Sequence, residues 1–115
     1  MLQIRREQKE TLEQDAERRF EQKAMNLMRE CWTEECDEMT EDELLKLVRA
    51  GIKKARSYQL EDDRSICHFL NFRFGISQDF PVENEHDWAE EILSSKYLTS
   101  KDKIEETLEE IEKRY

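Results

Sequence analysis

Apolar residues recur at steps of three and four along most of the chain, which is the spacing of one face of an α-helix. The pattern predicts five helices, at about residues 5–31, 41–58, 61–75, 86–94 and 100–113. One proline and two glycines in 115 residues fit an all-helical chain. We therefore predict an all-α fold, a single-domain helical bundle with a long N-terminal helix.

The first predicted helix spans roughly 40 Å at 1.5 Å per residue, which is longer than a compact domain of this size requires. Self-association through this helix, as a homodimer, is therefore one hypothesis, although strict heptads are not sustained. Residues 32–38 are predicted to form a loop, with Trp32 either packed into the core or exposed for binding. The apolar ladder of the helix consists of Leu12, Ala16, Phe20, Ala24, Leu27 or Met28, and Cys31.

Residues 39–75 hold the clearest helix signals in the chain. Thr40 and Glu43 have the spacing of a capping box, in which each side chain bonds the backbone amide of the other residue. Gly51 lies on the apolar face, where it is either a tolerated glycine or the mark of another helix that approaches closely. Gly75 is expected to end the second helix of this pair in the left-handed conformation.

The last forty residues are punctuated by Pro81, which interrupts the helical pattern. Phe80 and Val82 are expected to fold back onto the core, and Tyr97 and Leu98 to cover the turn before the last helix. Thr99 or Ser100 is expected to cap that helix. Its predicted inward stripe consists of Ile104, Leu108, Ile111 and Tyr115.

Charge is distributed unevenly within a formal net charge of −10. Residues 41–75 hold 7 basic and 6 acidic side chains, whereas residues 76–115 hold 5 basic and 12 acidic ones. The acid either keeps the helices solvated or attracts a basic partner, and it repels nucleic acid and anionic membranes. The candidate partner-binding residues are Asp87, Glu90, Glu91, Glu105, Glu106, Glu109, Glu110 and Glu112.

The second predicted helix, at about residues 41–58, carries a basic cluster: Arg49, Lys53, Lys54 and Arg56. These side chains form a solvated face, pair with the acidic last helix of the same chain, or contact phosphate. Contact with phosphate is the weakest of the three readings given the overall charge, so we expect no nucleic-acid partner.

No pattern of catalytic or cofactor-binding residues emerges. Cys31, Cys36, Cys67 and His68 do not have the spacing of paired zinc ligands. Neighbouring side chains on a helix diverge by about 100°, which argues against a Cys67–His68 catalytic pair. His86 is expected at the surface. We predict no catalytic, metal or cofactor site and no enzyme activity.

The chain shows no apolar leader and no run that approaches the roughly 20 apolar residues of a membrane span. Three cysteines, an odd number, suit a reducing compartment. We therefore expect a cytoplasmic protein that does not insert into a membrane.

Three segments carry a resemblance to a known family: residues 47–58 (LVRAGIKKARSY), 62–80 (DDRSICHFLNFRFGISQDF) and 88–93 (WAEEIL). They are similar to small all-helical bacterial proteins encoded beside type VI secretion and polymorphic toxin genes. The chain departs from that pattern at Gln59, where glycine is common, and in its acidic last helix. The matched positions are Phe20, Trp32, Cys36, Leu47, Val48, Arg49, Gly51, Ile52, Ala55, Tyr58, Arg64, Phe69, Leu70, Phe74, Asp79, Phe80, Trp88, Ala89 and Leu93.

The resemblance implies a partner rather than a reaction. We expect a non-enzymatic accessory of a secreted interbacterial toxin, which acts as an immunity protein or as a chaperone or adaptor. The partner would be a toxin or a secretion-spike component with a basic surface. A self-associating structural protein and a regulator that contacts nucleic acid are the alternatives.

Overall fold

The computed structural model describes the backbone of residues 6–115 and the side chains from Glu13 onward, so Leu12 of the predicted ladder lies outside the described side chains. This part of the chain forms six helices and no strand, which confirms the predicted all-α fold. They are α1 (Arg6–Cys31), α2 (Thr33–Asp37), α3 (Glu41–Ser57), α4 (Asp63–Gly75), α5 (Asp87–Leu93) and α6 (Ser100–Arg114). Contacts divide the chain into two units, the first of which ends at Leu45 and the second of which runs from Lys46 to Tyr115.

One face of α1 is buried. Phe20, Ala24, Met25 and Met28 are buried there, whereas Ala16 and Cys31 are exposed. The predicted ladder is therefore right at its centre and wrong at those two positions. Met25 is buried although the stepwise pattern passed over it, because a buried helical face is wider than a single row of residues.

The predicted loop after α1 is wrong, since residues 33–37 form the short helix α2. Its backbone continues directly from α1: the Trp32 amide donates to the Met28 carbonyl at 2.7 Å, and the Cys36 amide donates to the Trp32 carbonyl at 2.9 Å. The Thr33 hydroxyl donates to the Arg29 carbonyl at 2.9 Å. Trp32 is half-buried. These hydrogen bonds stabilise the short helix α2 at the end of α1, and the amino-acid composition of residues 32–38 does not indicate them.

The start of α3 is held by a variant of the predicted capping box. The Glu43 amide donates to the Thr40 hydroxyl oxygen at 3.1 Å, as expected. The Thr40 hydroxyl in turn donates to the Glu43 carboxylate at 3.2 Å, so that carboxylate returns to the hydroxyl rather than to the amide. Arg29 forms an ion pair with Glu41 at 3.7 Å in the same unit.

The start of α4 lies two residues later than predicted, because Asp62 is its N-cap. The Asp62 carboxylate accepts from the Ser65 amide at 3.0 Å and from the Ser65 hydroxyl at 2.9 Å. Burial alone would raise the pKa of Asp62, but these hydrogen bonds and the charge of Arg64 outweigh it and lower that pKa.

The core of the second unit is aromatic and is centred on Phe80. Its ring lies 6.1 Å from Phe69, 6.0 Å from Phe72 and 5.0 Å from His86, measured between ring centroids. Phe80 is fully buried, which confirms that it folds back onto the core, whereas Val82 is only half-buried. The buried Arg73 guanidinium donates to the Phe80 carbonyl at 3.1 Å. Burial lowers the pKa of Arg73, while Asp79 and Tyr58 oppose that effect.

Gly51 marks a close approach between α3 and α4, as one of the two sequence interpretations holds. A Cβ atom at this position would overlap Cδ2 of Leu70 and would lie 3.5 Å from Cδ of Arg73. The absent side chain therefore lets Leu70 pack directly on the backbone of α3.

The prediction for Gly75 is wrong, because Gly75 is the last residue of α4 and its φ is not positive. The Ile76 amide donates to the Phe72 carbonyl at 2.8 Å, so the helical bonding continues past the glycine. Positive φ occurs instead at Gln59 (65°) and Asn84 (69°). Neither residue is glycine, the residue that adopts this conformation without strain.

His86 is not a surface residue, contrary to the prediction, since only 5% of it is exposed. Its Nδ1 accepts the Val82 amide at 2.8 Å, which assigns the proton of the neutral ring to Nε2. The ring also lies against Phe80 and Trp88. Neighbouring acidic residues in the sequence suggested exposure, but the loop turns this ring into the aromatic core.

Tyr97 was expected to cover a turn and is instead 96% exposed, whereas Leu98 is half-buried. The predicted inward stripe of α6 is also partly wrong. Ile104 is buried, but Leu108 is 39% and Tyr115 is 73% exposed. Lys103 and Thr107 are buried in their place. The Thr99 hydroxyl accepts the Asp102 amide at 3.2 Å and caps this helix as predicted.

We expect the substitution Gly51→Ala to destabilise the protein by about 1–3 kcal/mol, because the added methyl group overlaps Leu70 in a packed interface. The result is informative because alanine by itself favours a helix by about 1 kcal/mol over glycine. Urea denaturation followed by circular dichroism measures the change. Ala50→Gly, at the exposed neighbouring position, is the control for helix propensity. An unchanged or raised stability of the Gly51 variant would contradict the close packing.

We expect His86→Ala to destabilise the protein by about 1–3 kcal/mol, since the Val82 amide loses its buried acceptor. His86→Asn is the matched variant, because its Oδ1 can occupy the position of Nδ1 and accept the same amide. It should recover part of the loss, and hydrogen exchange of the Val82 amide should be slower in it than in the alanine variant. Equal exchange in the two variants would show that this hydrogen bond contributes nothing.

Candidate functional site

The outward side of α6 carries a row of carboxylates, here called the acidic row: Asp102, Glu105, Glu109 and Glu112. Successive members lie three, four and three residues apart, a spacing that aligns side chains along one face of a helix. All four are exposed, and the opposite side of α6 is buried through Lys103, Ile104 and Thr107. The row extends from residue 102 to residue 112, ten steps of 1.5 Å, or roughly 15 Å along the helix axis.

The acidic row is only partly neutralised by nearby bases. Lys101 lies 3.9 Å from Glu105 in an exposed pair. Among the described residues no ion pair is formed by Asp102, Glu109 or Glu112. Like charges three or four residues apart destabilise a helix by about 0.2–0.5 kcal/mol per pair. The row is therefore an arrangement that the isolated helix does not favour.

The other predicted partner-binding residues of α6 are placed differently. Glu106 is exposed beside the row, whereas Glu110 is half-buried and pairs with Lys113 at 3.5 Å and with Arg114 at 3.4 Å. Of the five predicted glutamates of α6, four are therefore exposed and Glu110 is not. Sequence reasoning missed Asp102, although its spacing from Glu105 was available as a signal.

The predicted acidic residues of α5 have local structural roles in two of three cases. Asp87 accepts the Asn84 amide at 2.9 Å. The Glu90 carboxylate accepts a short hydrogen bond from the Tyr58 hydroxyl and a 3.3 Å bond from the Ser94 hydroxyl. Glu91 is exposed. Only Glu91 therefore resembles the acidic row in being directed to solvent without such a bond among the described residues.

A polar cluster that sequence analysis did not anticipate lies where the ends of α3 and α5 meet α6. The ammonium group of Lys103, a residue only 4% exposed, donates to the Tyr58 carbonyl at 2.7 Å. Lys54 lies over the Tyr58 ring, 5.1 Å from its centroid. These groups and Glu90 line a cavity of about 480 Å³. No sequence motif joins residues so far apart in the chain.

Tyr58 has an altered acidity because of this environment. Burial, followed by the hydrogen bond to Glu90 and the charge of that carboxylate, raises the pKa of Tyr58 above its usual range. The nearby charge of Arg73 opposes the shift. The hydroxyl therefore stays protonated and serves as a donor to Glu90, rather than as a base.

The residues considered for zinc do not assemble. Cys31 is exposed, Cys36 is buried and Cys67 is half-buried, and none of the three forms a disulfide. Within the described part of the chain, no group of three or more histidine, cysteine or acidic side chains is arranged to hold a metal ion. Burial raises the pKa of Cys36, an effect that Arg29 partly opposes. Cys36 is thus a packing residue with a thiol that resists ionisation.

The basic cluster of α3 is exposed at all four positions, Arg49, Lys53, Lys54 and Arg56. Lys54 belongs to the Tyr58 cluster described above.

Among the described helices, none combines the length and the apolar composition that a membrane span requires.

Comparisons with protein-family models, with curated proteins and with solved structures each find no match for this chain.

Because the folded state holds Tyr58 protonated, we expect the free energy of unfolding to decrease as the pH rises above about 10, where an unfolded tyrosine ionises. The folded state then binds one proton more than the unfolded state, which gives this sign. Urea denaturation between about pH 8 and pH 11 measures it. Tyr58→Phe should flatten this dependence, and Tyr97→Phe, at an exposed position, should not. Equal slopes in both variants would contradict the assignment.

Proposed function

We propose that this chain is a non-enzymatic protein that binds a basic surface of a partner protein through the acidic row of α6. The observation that supports this proposal most strongly is the row itself. Its carboxylates align on the outward face of a helix with a single exposed lysine as counter-charge among the described residues. Such an arrangement is unfavourable in the isolated chain and becomes favourable against lysine or arginine side chains.

The geometry fits a protein partner better than a small molecule. A row of roughly 15 Å matches two to three turns of a basic helix or a basic strand. The acidic row is convex and exposed, whereas small-molecule sites are concave and enclosed. The net charge of −10 adds long-range attraction to a basic protein and accelerates the encounter.

The identity of the partner class follows from the resemblance described above, and from that alone. The resemblance supports a toxin or a secretion-spike component as the binding partner, in a bacterial cytoplasm. The chain would neutralise the toxin in the producing cell, or hold it for delivery. Both roles need tight binding of a basic surface and need no catalytic residue.

We expect the triple substitution Glu105→Gln, Glu109→Gln and Glu112→Gln to weaken the complex about tenfold, since exposed ion pairs contribute about 0.2–1 kcal/mol each. The partner is first isolated by affinity purification from the native cells and mass spectrometry. Titration calorimetry at two salt concentrations then gives Kd, and the triple variant should also show a weaker salt dependence.

Glu34→Gln, Glu35→Gln and Glu83→Gln together form the matched control, since they remove the same charge from exposed positions elsewhere. This control should leave Kd within about twofold if the position of the charge matters more than its amount. A partner that binds the α6 triple variant as tightly as the natural chain would refute the proposed surface. Co-expression of the chain with its toxin distinguishes the two roles: survival of the cells indicates immunity, and secretion without protection indicates delivery.

A further inference from the structure

The exposed face of α3 carries a second charged row, here called the basic row: Lys46, Arg49, Lys53 and Arg56. All four side chains are exposed, and the buried side of the same helix holds Val48, Ile52 and Ala55. Successive members lie three, four and three residues apart. The basic row therefore has the same length and spacing as the acidic row of α6, with the opposite charge.

The two rows match in an antiparallel alignment of the helices. Because the steps of three, four and three read the same in both directions, Lys46 faces Glu112 when Lys53 faces Glu105. The same register places Arg49 beside Glu109 and Arg56 beside Asp102. Antiparallel helices also place opposite ends of their dipoles together. Lys46 and Lys53 thus meet two carboxylates of the acidic row, seven residues or roughly 10 Å apart, without a change in register.

The rows do not neutralise each other within one chain at the two lysines. Lys46 and Lys53 form no ion pair with α6 among the described residues, and the only lysine that approaches the acidic row there is Lys101, on α6 itself. Intrachain pairing of the basic cluster with the last helix was one sequence interpretation. For Lys53, which belongs to that cluster, no ion pair with α6 is formed among the described residues.

We propose that a second copy of this chain docks its α3 antiparallel along α6, so that the basic row of one copy pairs with the acidic row of the other. Apolar contacts support the same contact. Leu108, which is 39% exposed, lies beside the acidic row and would be covered. Ala50 is exposed beside the basic row, and its small side chain lets a second helix approach closely.

The contact is weak and sensitive to salt. Exposed ion pairs contribute little each, and a single helix pair covers less surface than a standard stable interface. The net charge of both copies opposes association at long range. At about 0.1 M salt the screening length is about 10 Å, so whole-molecule repulsion is reduced while charges in contact still attract.

This inference goes beyond the proposed function, because it concerns the chain alone. It also has a consequence for that function. The acidic row is occupied by α3 of another copy in concentrated protein, so a basic partner protein must displace that helix to bind.

Charge reversal on each row tests the docking. Sedimentation equilibrium of the purified full chain is measured at about 0.1 M and about 1 M salt, because screening at the higher concentration shortens to about 3 Å. We expect association at the lower salt and its loss at the higher. The variants are Glu105→Lys with Glu112→Lys, and Lys46→Glu with Lys53→Glu. Each variant alone places like charges in contact and should raise the apparent Kd at least tenfold.

The decisive sample is an equimolar mixture of the two variants, in which both helix pairs again join opposite charges. It should associate with an apparent Kd within about threefold of that of the natural chain, because the two charge reversals compensate each other. Glu34→Lys with Glu35→Lys makes the same change of net charge as Glu105→Lys with Glu112→Lys but lies outside the rows, so it is the matched control for that variant. If the variant with Glu105→Lys and Glu112→Lys loses its helical circular dichroism, the variant with Glu105→Gln and Glu112→Gln replaces it in the single-variant measurement.

Three results would overturn the proposal: a natural chain that stays monomeric up to millimolar concentration at the lower salt, an oligomer unchanged by both reversals, or a mixture that remains monomeric. The second result would place the self-contact on another surface, such as α1. Partner capture with the Lys46→Glu, Lys53→Glu variant keeps the two proposals separate. That variant retains the acidic row and should bind the basic partner even if self-docking is absent.

Discussion

The hydrogen bond from the buried Lys103 ammonium to the Tyr58 carbonyl fixes the rotation of α6 in the second unit. A lysine is rarely buried without a carboxylate, because removing its charge from water is costly. Here it meets the carbonyl end of α3, where the helix dipole concentrates partial negative charge. Ser100 adds a second bond from α6 to the same chain segment, with its hydroxyl 3.1 Å from the Gln59 carbonyl. The start of α6 thereby caps the end of α3.

That rotation decides which side of α6 faces solvent. With Lys103 and Thr107 directed inward, the acidic row points outward and Leu108 lies at its edge. Tyr58 also donates its hydroxyl hydrogen to Glu90, so one carboxylate of α5 is used within the fold. The acids of this unit thus divide into those that bond neighbouring groups and those that face solvent.

The two charged rows give the surface its functional character. Both rows have the regular spacing of one helical face, which fits the spacing of charges on another helix. Under the two proposals, a basic partner and a second copy would compete for the acidic row, and binding would depend on protein concentration and on salt. Self-association of this kind would shield the row until a stronger partner is present.

The sequence by itself determined the features that depend on neighbours within one helical turn. Thr40 and Glu43 cap α3, Thr99 caps α6, and the helices occur nearly where their apolar periodicity predicts them, because each signal involves residues three or four apart. Gly51 lies between the two groups: its place on an apolar face left two interpretations open, and the overlap of an added Cβ atom with Leu70 decides for close packing.

Tertiary structure alone decided the features that join distant segments. Lys103 reaches Tyr58 across 45 positions, and His86 enters the aromatic core through a loop, so residue type suggested exposure for both. The apolar stripe of α6 predicted a buried face that included Leu108 and Tyr115, but the helix is rotated so that both are exposed. This rotation determines which glutamates of α6 face solvent. Periodicity gives a helix its faces, but contacts with other helices select which face is covered.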